Sequence, residues 1–168
     1  MRRLELERLR EIHPQLPETT AAELVFRAAL ALQRRHLAGV NMGIRLVTMG
    51  LHTSLDWTFR APAGDAMLDR HRVTEDGAEV LALLLVNVAF GWVARRRLQR
   101  GECADWLLRD ADDRRIALEI SGTDNSDVEV RLREKVAQVS KSKAAGTGGT
   151  KAACVVRFEE PLALLATA

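Results

Sequence analysis

Several features that mark enzymes, metal proteins or membrane proteins are missing from this sequence. Its two cysteines, Cys103 and Cys154, form no CxxC pair, and we expect them to be buried thiols in a reducing cytoplasm. The four histidines show no ligand spacing, which gives a zinc site little support. The N-terminal residues lack the apolar core of a signal peptide, and the most apolar run, residues 80–90, is too short to span a membrane. We therefore expect a soluble, cytoplasmic protein with no membrane partner.

Two familiar catalytic motifs are also absent. Residues 146–151 read Gly-Thr-Gly-Gly-Thr-Lys and look phosphate-binding, but a P-loop needs Gly-Lys-Ser/Thr between a strand and a helix. Here the Lys follows Thr and a strand comes next, so a flexible loop is expected. No nucleophile-elbow pattern surrounds Ser140 or Ser142. These motifs therefore indicate neither a nucleotide site nor a serine nucleophile.

The charge is nearly balanced, but the basic residues are clustered. The net charge of +2 is too small to argue for nucleic acid by itself. Four arginines without an intervening acid form one cluster: Arg95, Arg96, Arg97 and Arg100. Residues 131–151 hold six basic residues against the single acid Glu134. Such clusters would suit a phosphate backbone, and the alternative is that they are solvated faces of helices and strands.

The pattern of apolar residues predicts an α/β protein in two parts. Residues 1–73 read as an all-helical N-terminal extension, with a helix at 20–37 and a less certain helix at 41–55. Residues 74–168 read as an α/β core that starts with a helix capped by Thr74 and ended by Gly91. Three strands in a meander are predicted at 92–98, 103–109 and 114–120, followed by a helix capped by Asp127 and a strand at 152–158. Because a helix separates the last two strands, part of the sheet should be parallel.

The residues that most directly suggest chemistry are two acids in strand-like segments, Asp105 and Glu119. An ionised group in an apolar run is costly unless it binds something, and an acidic pair on neighbouring strands can hold a divalent metal. Alternation along the strand places Glu119 and Ser121 on one face. The alternatives are that Asp105 only solvates a strand end and that Glu119 forms a structural ion pair with Arg114, Arg97 or Lys135.

The helix after the third strand offers a polar stripe beside its apolar face. Arg131, Lys135 and Gln138 follow one another at spacings of four and three residues, so they lie on one side of that helix. Lys135 would supply the cation that Ser121 cannot provide. The alternative is an ordinary solvated lysine.

From residue 74 to 158 the chain resembles the PD-(D/E)XK (restriction-endonuclease-like) nuclease superfamily. The resemblance rests on the element order, on Asp105 and on the tripeptide Glu119-Ile120-Ser121, which stands where the family has E-x-K. It implies an αβββαβ core, a mixed sheet flanked by helices, in which the two acids bind a divalent metal. Some members add a Glu from the first core helix, here Glu79 or Glu75. In some relatives the Lys has moved to the second core helix, where Lys135 lies.

The resemblance implies a metal-dependent nucleic-acid phosphodiester hydrolase. Asp105, Glu119, Lys135 and Gln138 would be catalytic, and Asp105, Glu119 and Glu79 would hold Mg²⁺ or Mn²⁺. The expected phosphate-binding residues are Arg95, Arg97, Arg100 and Arg131. Alternatives are an inactive nuclease-fold subunit that binds nucleic acid or protein in a larger complex, or a helical interaction protein without a site. The apolar N-terminal helices suggest a surface for a homo-oligomer or partner protein.

Overall fold

The computed structural model describes residues 2–36, 42–46, 51–58 and 69–168, and these residues form an α/β fold around one mixed sheet. The strands, in chain order, are β1 (Arg2–Glu5), β2 (Met42–Leu46), β3 (Leu51–Asp56), β4 (Val93–Arg97), β5 (Trp106–Arg109), β6 (Arg115–Thr123), β7 (Thr150–Arg157) and β8 (Leu162–Thr167). The α-helices in the same residues are α1 (Leu9–Ile12), α2 (Glu18–Gln33), α3 (Arg70–Phe90) and α4 (Val128–Val139), and a 3₁₀ turn precedes α1.

The strands are arranged in the order β1-β3-β2-β8-β7-β6-β5-β4. Strands β4, β5 and β6 form an antiparallel meander, and β6 and β7 are parallel across the α4 crossover. Both relationships confirm the sequence predictions for residues 92–158. Strand β8 was not predicted. It follows Pro161 and pairs antiparallel with β7, so the sheet extends beyond the last predicted strand.

The prediction that residues 1–73 are all helical is wrong. Three of the strands lie in this region, and β2 joins the rest of the sheet through a parallel pair with β8. The first strand pairs with β3, some fifty residues later in the chain, as the register Arg2↔Thr53 shows. This distant pairing is not revealed by local periodicity, whereas β2 and β3 pair antiparallel with each other as near neighbours in the chain. The boundary between residues 73 and 74 stays a prediction, and residues 59–68 of the predicted connection lie outside the described residues.

Helix α3 fills the space between the sheet and α2. It begins one turn earlier than predicted, because the carboxylate of Asp69 accepts the His71 N–H, while the Thr74 hydroxyl donates to the Arg70 carbonyl inside the helix. Gly91 ends the helix with φ of +71°, as the sequence predicted. Most residues from Val73 to Val86 are buried on every side, which explains why this segment is apolar without a polar face.

The apolar residues of α2 are part of this same core. Leu24 and Leu32 are buried, and Val25 and Leu30 pack against the buried cluster that α3 and the sheet share. These four residues were the reason to expect an assembly surface in the N-terminal part. Because they are covered by the chain's own helices and sheet, the expected oligomer surface loses that support.

His13 fastens the N-terminal segment to the core. Its imidazole is fully buried, its Nδ1 accepts the Ala94 N–H at 3.1 Å, and its Nε2 lies 3.3 Å from the Leu83 carbonyl oxygen. Since the amide must donate, Nδ1 is unprotonated and Nε2 carries the proton. Burial lowers the pKa of His13 to about 4, so the ring is neutral at ordinary pH.

Helix α4 covers the opposite face of the sheet. Asp127 caps it as predicted, accepting the N–H groups of Glu129 and Val130. Its apolar residues pack on β6, β7 and the following loop, and Val139 is completely buried there. Alternation along β6 therefore sends Leu118 and Ile120 toward α3, and sends Ala117 and Glu119 toward α4. None of the described helices has the length and apolar character that crossing a membrane requires.

Candidate active site

Asp105 and Glu119 lie opposite each other at the edge of the β5–β6 pair. The chain turns at Gly101 and Cys103, both with positive φ, so β5 begins only at Trp106 and not at the predicted residue 103. Trp106 pairs with Leu118, and the next position in this register places Asp105 beside Glu119. The Asp105 N–H donates to the Leu118 carbonyl at 3.0 Å, and its carboxylate Oδ2 accepts the Ile120 N–H at 2.7 Å. The two acids therefore share the face that α4 covers.

Glu119 is a buried acid with one satisfied oxygen. Only 2% of the residue is exposed, and its Oε1 accepts a hydrogen bond from the Lys135 ammonium of α4 at 2.7 Å. Lys135 is held in turn by the Gln138 side-chain oxygen at 3.3 Å. Within the described residues, Oε2 of Glu119 is buried and has no hydrogen-bond partner. A carboxylate oxygen left in this condition costs about 1–3 kcal/mol, so the site favours a ligand that would satisfy it.

The electrostatics of the pair point the same way. Burial raises the pKa of both carboxyls, and the charge of Asp105 raises the pKa of Glu119 further. Lys135 lowers the pKa of each but does not reverse the rise. When both acids are ionised, two negative charges face one positive charge. This imbalance favours a cation, since each acid is more stable when a positive charge lies close to it.

Glu79, predicted as a metal ligand, lies on α3 on the other side of the meander. Both of its oxygens accept hydrogen bonds from Arg97, and Oε2 also accepts the buried Trp106 indole N–H at 2.9 Å. The Arg97 guanidinium lies 5.6 Å above the Trp106 ring, a cation–π arrangement. Burial raises the pKa of Glu79 to about 7 despite the partnership with Arg97. These contacts are those of a structural ion pair, and its metal role stays a prediction.

Ser121 stands where the family that the sequence resembles has lysine, and it contacts two other polar side chains. The Ser121 hydroxyl donates to Glu75 Oε1 at 3.1 Å and accepts from Arg131 Nη1 at 2.7 Å. The Gly122 N–H donates to Glu75 Oε2 at 2.8 Å, so both oxygens of Glu75 are engaged. Ser121 and Gly122 lie inside β6, whereas the sequence suggested that they end the strand. The i,i+4 spacing of Arg131 and Lys135 was the one signal that two cations of α4 face this site together.

The four arginines expected to contact phosphates are not gathered into one surface. Arg97 forms an ion pair with Glu79 on the α3 face, and Arg131 forms one with Glu75. Arg95 is exposed and lies 3.9 Å from the Asp113 carboxylate. Arg100 is exposed in the turn after β4. Two of the four are therefore engaged by acids of the protein itself.

The acids fit a divalent cation in part. Carboxylate oxygens are the ligands that Mg²⁺ prefers, and Oε2 of Glu119 has no hydrogen-bond partner among the described residues. Among the residues that the structure describes, however, no three His, Cys, Asp or Glu side chains are grouped as a metal site. Asp105 and Glu119 could thus provide two ligands, and the remainder would come from water or substrate.

Comparison of the chain with protein-family models, with curated proteins and with solved structures finds no match. Function must therefore be argued from the site itself.

Proposed function

We propose that the chain is a metal-dependent hydrolase of nucleic-acid phosphodiester bonds, with a PD-(D/E)XK-like (restriction-endonuclease-like) core. The observation that carries the proposal is the buried, unpartnered oxygen of Glu119 beside a second buried acid, Asp105. Burying two acids against one lysine destabilises the fold unless a cation completes the site. The element order α3, β4, β5, β6, α4, β7 supports the proposal as well.

Each residue has a defined part in this proposal. Asp105 and Glu119 hold Mg²⁺ or Mn²⁺, an ion that, when bound, polarises a phosphoryl oxygen and lowers the pKa of coordinated water. Lys135 fixes the orientation of Glu119 and offers positive charge to the negative charge that develops on the phosphate during attack. Gln138 keeps the ammonium of Lys135 in place.

A second candidate is an inactive nuclease-fold subunit that binds nucleic acid or a protein partner. It is favoured by the contacts of Glu75 and Glu79, whose oxygens are all engaged by the protein's own donors. On this proposal Arg131, which contacts Ser121 and Glu75, and Lys135, which contacts Glu119, neutralise the acids and stabilise the fold of a site that has lost its activity.

The two candidates are separated by incubating the purified chain with supercoiled plasmid, single-stranded DNA and RNA, with Mg²⁺, Mn²⁺ or EDTA. The first predicts cleavage that requires the metal and is lost in Glu119→Ala; metal-dependent cleavage by that variant would overturn the site. Binding without cleavage in any metal would favour the second.

The role of Lys135 needs a matched control on the same helix. Lys135→Met should slow cleavage about 100-fold, the usual cost of losing a charge-stabilising donor. Arg133→Met removes the same charge from an exposed position of α4 and should change the rate by less than about threefold. If Lys135→Met also leaves the rate unchanged, Lys135 has no catalytic part, although the two acids keep theirs.

A further inference from the structure

The glycine-rich loop at residues 146–151 lines a pocket. This pocket, of about 260 Å³, is bounded by Arg114 and Arg115 at the start of β6 and by residues 145–149. It lies at the end of the sheet where β6 and β7 begin, and α4 leads the chain back to it. The pocket is separate from the acids of the candidate active site.

The loop keeps its shape because it is made of glycine. Gly146 and Gly148 have φ of +72° and +77°, a region that favours glycine, and a Cβ on Gly149 would lie 2.3 Å from the Ala145 carbonyl oxygen. The Gly146 N–H donates to the Lys143 carbonyl. The amides of Thr147 and Gly148, by contrast, make no hydrogen bond within the described residues. Amides exposed in a tight glycine turn are suited to an anion.

The arginine that faces this loop has no acidic partner. No carboxylate of the described residues lies within 4.0 Å of Arg115, whose Nη1 is 3.9 Å from the position that a Cβ of Gly146 would occupy. Arg115 also lies opposite Arg109 in the register, and Arg109 is paired with Asp113 whereas Arg115 is not. Arg114, in contrast, is paired with Asp110 and Asp112. The unbalanced charge in the pocket is therefore that of Arg115.

A second basic pocket adjoins the first. Its volume is about 390 Å³, and Lys141, Lys143 and Ala144 line it together with Gly101 and Glu102. The carboxylate of Glu102 is already bound by Arg96, so the two lysines are not neutralised by it. The surface from residue 141 to residue 149 therefore carries positive charge over both pockets, as a polyanion would require.

From these observations we propose that Arg115 and the loop Gly146–Gly149 form a subsite for a phosphate group of a nucleic-acid backbone. Arg115 and Glu119 are four residues apart on β6 and face the same side, so the subsite lies about 13 Å along the strand from the acid. That distance equals the axial rise of about four base pairs of a B-form duplex. The identity of the ligand rests on the proposed function, whereas the anion subsite does not require cleavage.

The test measures binding of a fluorescein-labelled single-stranded oligonucleotide by anisotropy in EDTA, so that no cleavage occurs. Arg115→Ala should weaken binding roughly five- to eightfold at about 0.1 M salt and reduce the salt slope by about 0.7–0.9, the loss of one phosphate contact. Arg115→Lys should restore most of the slope. Arg10→Ala, an exposed arginine of α1 on the other face of the sheet, should leave both values unchanged.

A second variant acts on the loop without removing a charge. A Cβ added at Gly148 would have no atom within 4 Å, but the backbone φ of +77° at this position is unfavourable for alanine. Gly148→Ala should therefore weaken binding while the salt slope stays close to that of the wild type. In parallel, inorganic phosphate should shift the amide NMR signals of Thr147 and Gly148 in the wild type and not in Arg115→Ala.

Equal weakening by Arg115→Ala and Arg10→Ala would overturn the subsite, as would phosphate shifts that persist without Arg115. A response to inorganic phosphate combined with no oligonucleotide binding would overturn the nucleic-acid ligand. If no metal supports cleavage but Arg115-dependent binding persists, the subsite stands and the proposed hydrolase fails.

Discussion

The two faces of the sheet treat buried titratable groups in different ways. On the α3 face, both ring nitrogens of His13 and both oxygens of Glu79 have partners. On the α4 face, Glu119 is at least as buried as Glu79, at 2% against 8% exposed. Yet within the described residues its Oε2 has no partner, and a second acid lies beside it.

Burial by itself therefore does not identify a functional acid. A buried group whose hydrogen bonds are all made can be part of the framework, because its desolvation is offset by fixed donors and acceptors. A buried acid that lacks a hydrogen-bond partner and has an acidic neighbour destabilises the folded protein. Binding of a cation or a hydrogen-bond donor would offset that cost. Four predictions test this distinction.

The largest effect is expected on cleavage from Glu119→Gln. Removing the charge should slow the Mg²⁺-dependent rate about 1,000-fold, one order beyond the 10–100-fold that the loss of an outer-shell partner costs. Because the amide oxygen of Gln can still accept from Lys135, the free energy of unfolding should change by less than about 1 kcal/mol. Single-turnover cleavage and urea denaturation measure the two values. If Glu119→Gln cleaves at the wild-type rate, Glu119 has no catalytic role and the two faces of the sheet do not differ in function.

The second prediction concerns His13 and pH. Its pKa in the folded protein, about 4, lies below the ordinary value of 6.5, so the unfolded chain binds the proton more readily. The stability contribution is therefore complete above about pH 6.5 and falls as the pH drops toward about 4, by about 3 kcal/mol in total. Urea denaturation across this range should show the loss in wild type relative to His13→Gln, which cannot titrate. Parallel curves for both proteins would contradict the assignment.

The third prediction is that Glu79 stabilises the fold more than it serves catalysis. Glu79→Ala should lower the free energy of unfolding by about 2 kcal/mol, because the buried Trp106 indole N–H loses its acceptor. Glu11→Ala removes an exposed acid paired with Arg8 and should leave the unfolding midpoint close to that of the wild type. Thermal or urea unfolding gives both numbers. If Glu79→Ala is as stable as wild type but has lost Mg²⁺-dependent cleavage, Glu79 belongs with the α4-face acids.

The smallest effect is expected from Gln138→Ala. Its bond to Lys135 is long and exposed, so its loss should slow cleavage only about two- to threefold. The same assay with Lys135→Met provides the upper reference. A loss as large as that of Lys135→Met would place Gln138 in contact with the substrate.

The sequence was most informative where the pattern is local. Gly91 and Asp127 are helix boundaries of known chemistry, and both lie where predicted. The meander was predicted from the turns between three strand-like runs, and the parallel pair from the helix that separates the last two strands; both are confirmed. Strand β1 was missed because its partner β3 is distant in the chain. Strands β2 and β3 pair locally with each other, but their segments were predicted as a helix, and β8 pairs with the neighbouring β7 beyond Pro161, where no strand was predicted.

The candidate site divides in the same way. The sequence offered Arg114, Arg97 and Lys135 as ion-pair partners of Glu119, and the structure shows that Lys135 is the partner. Each of the two residues lies in a regular element whose period fixes the direction of its side chain. The engagement of Ser121 by Glu75 and Arg131 could not be predicted, since it depends on how α3 and α4 approach the end of β6 from opposite faces.

The sequence by itself determined the α/β order of residues 74–158 and the candidate acids Asp105 and Glu119, because periodicity and caps are encoded locally. Only the tertiary structure decided which buried groups have partners. It joined Glu79 to Trp106 and left one oxygen of Glu119 without a donor among the described residues. Hydrogen-bond satisfaction depends on atoms that long-range packing brings together, and no local pattern of residues records it.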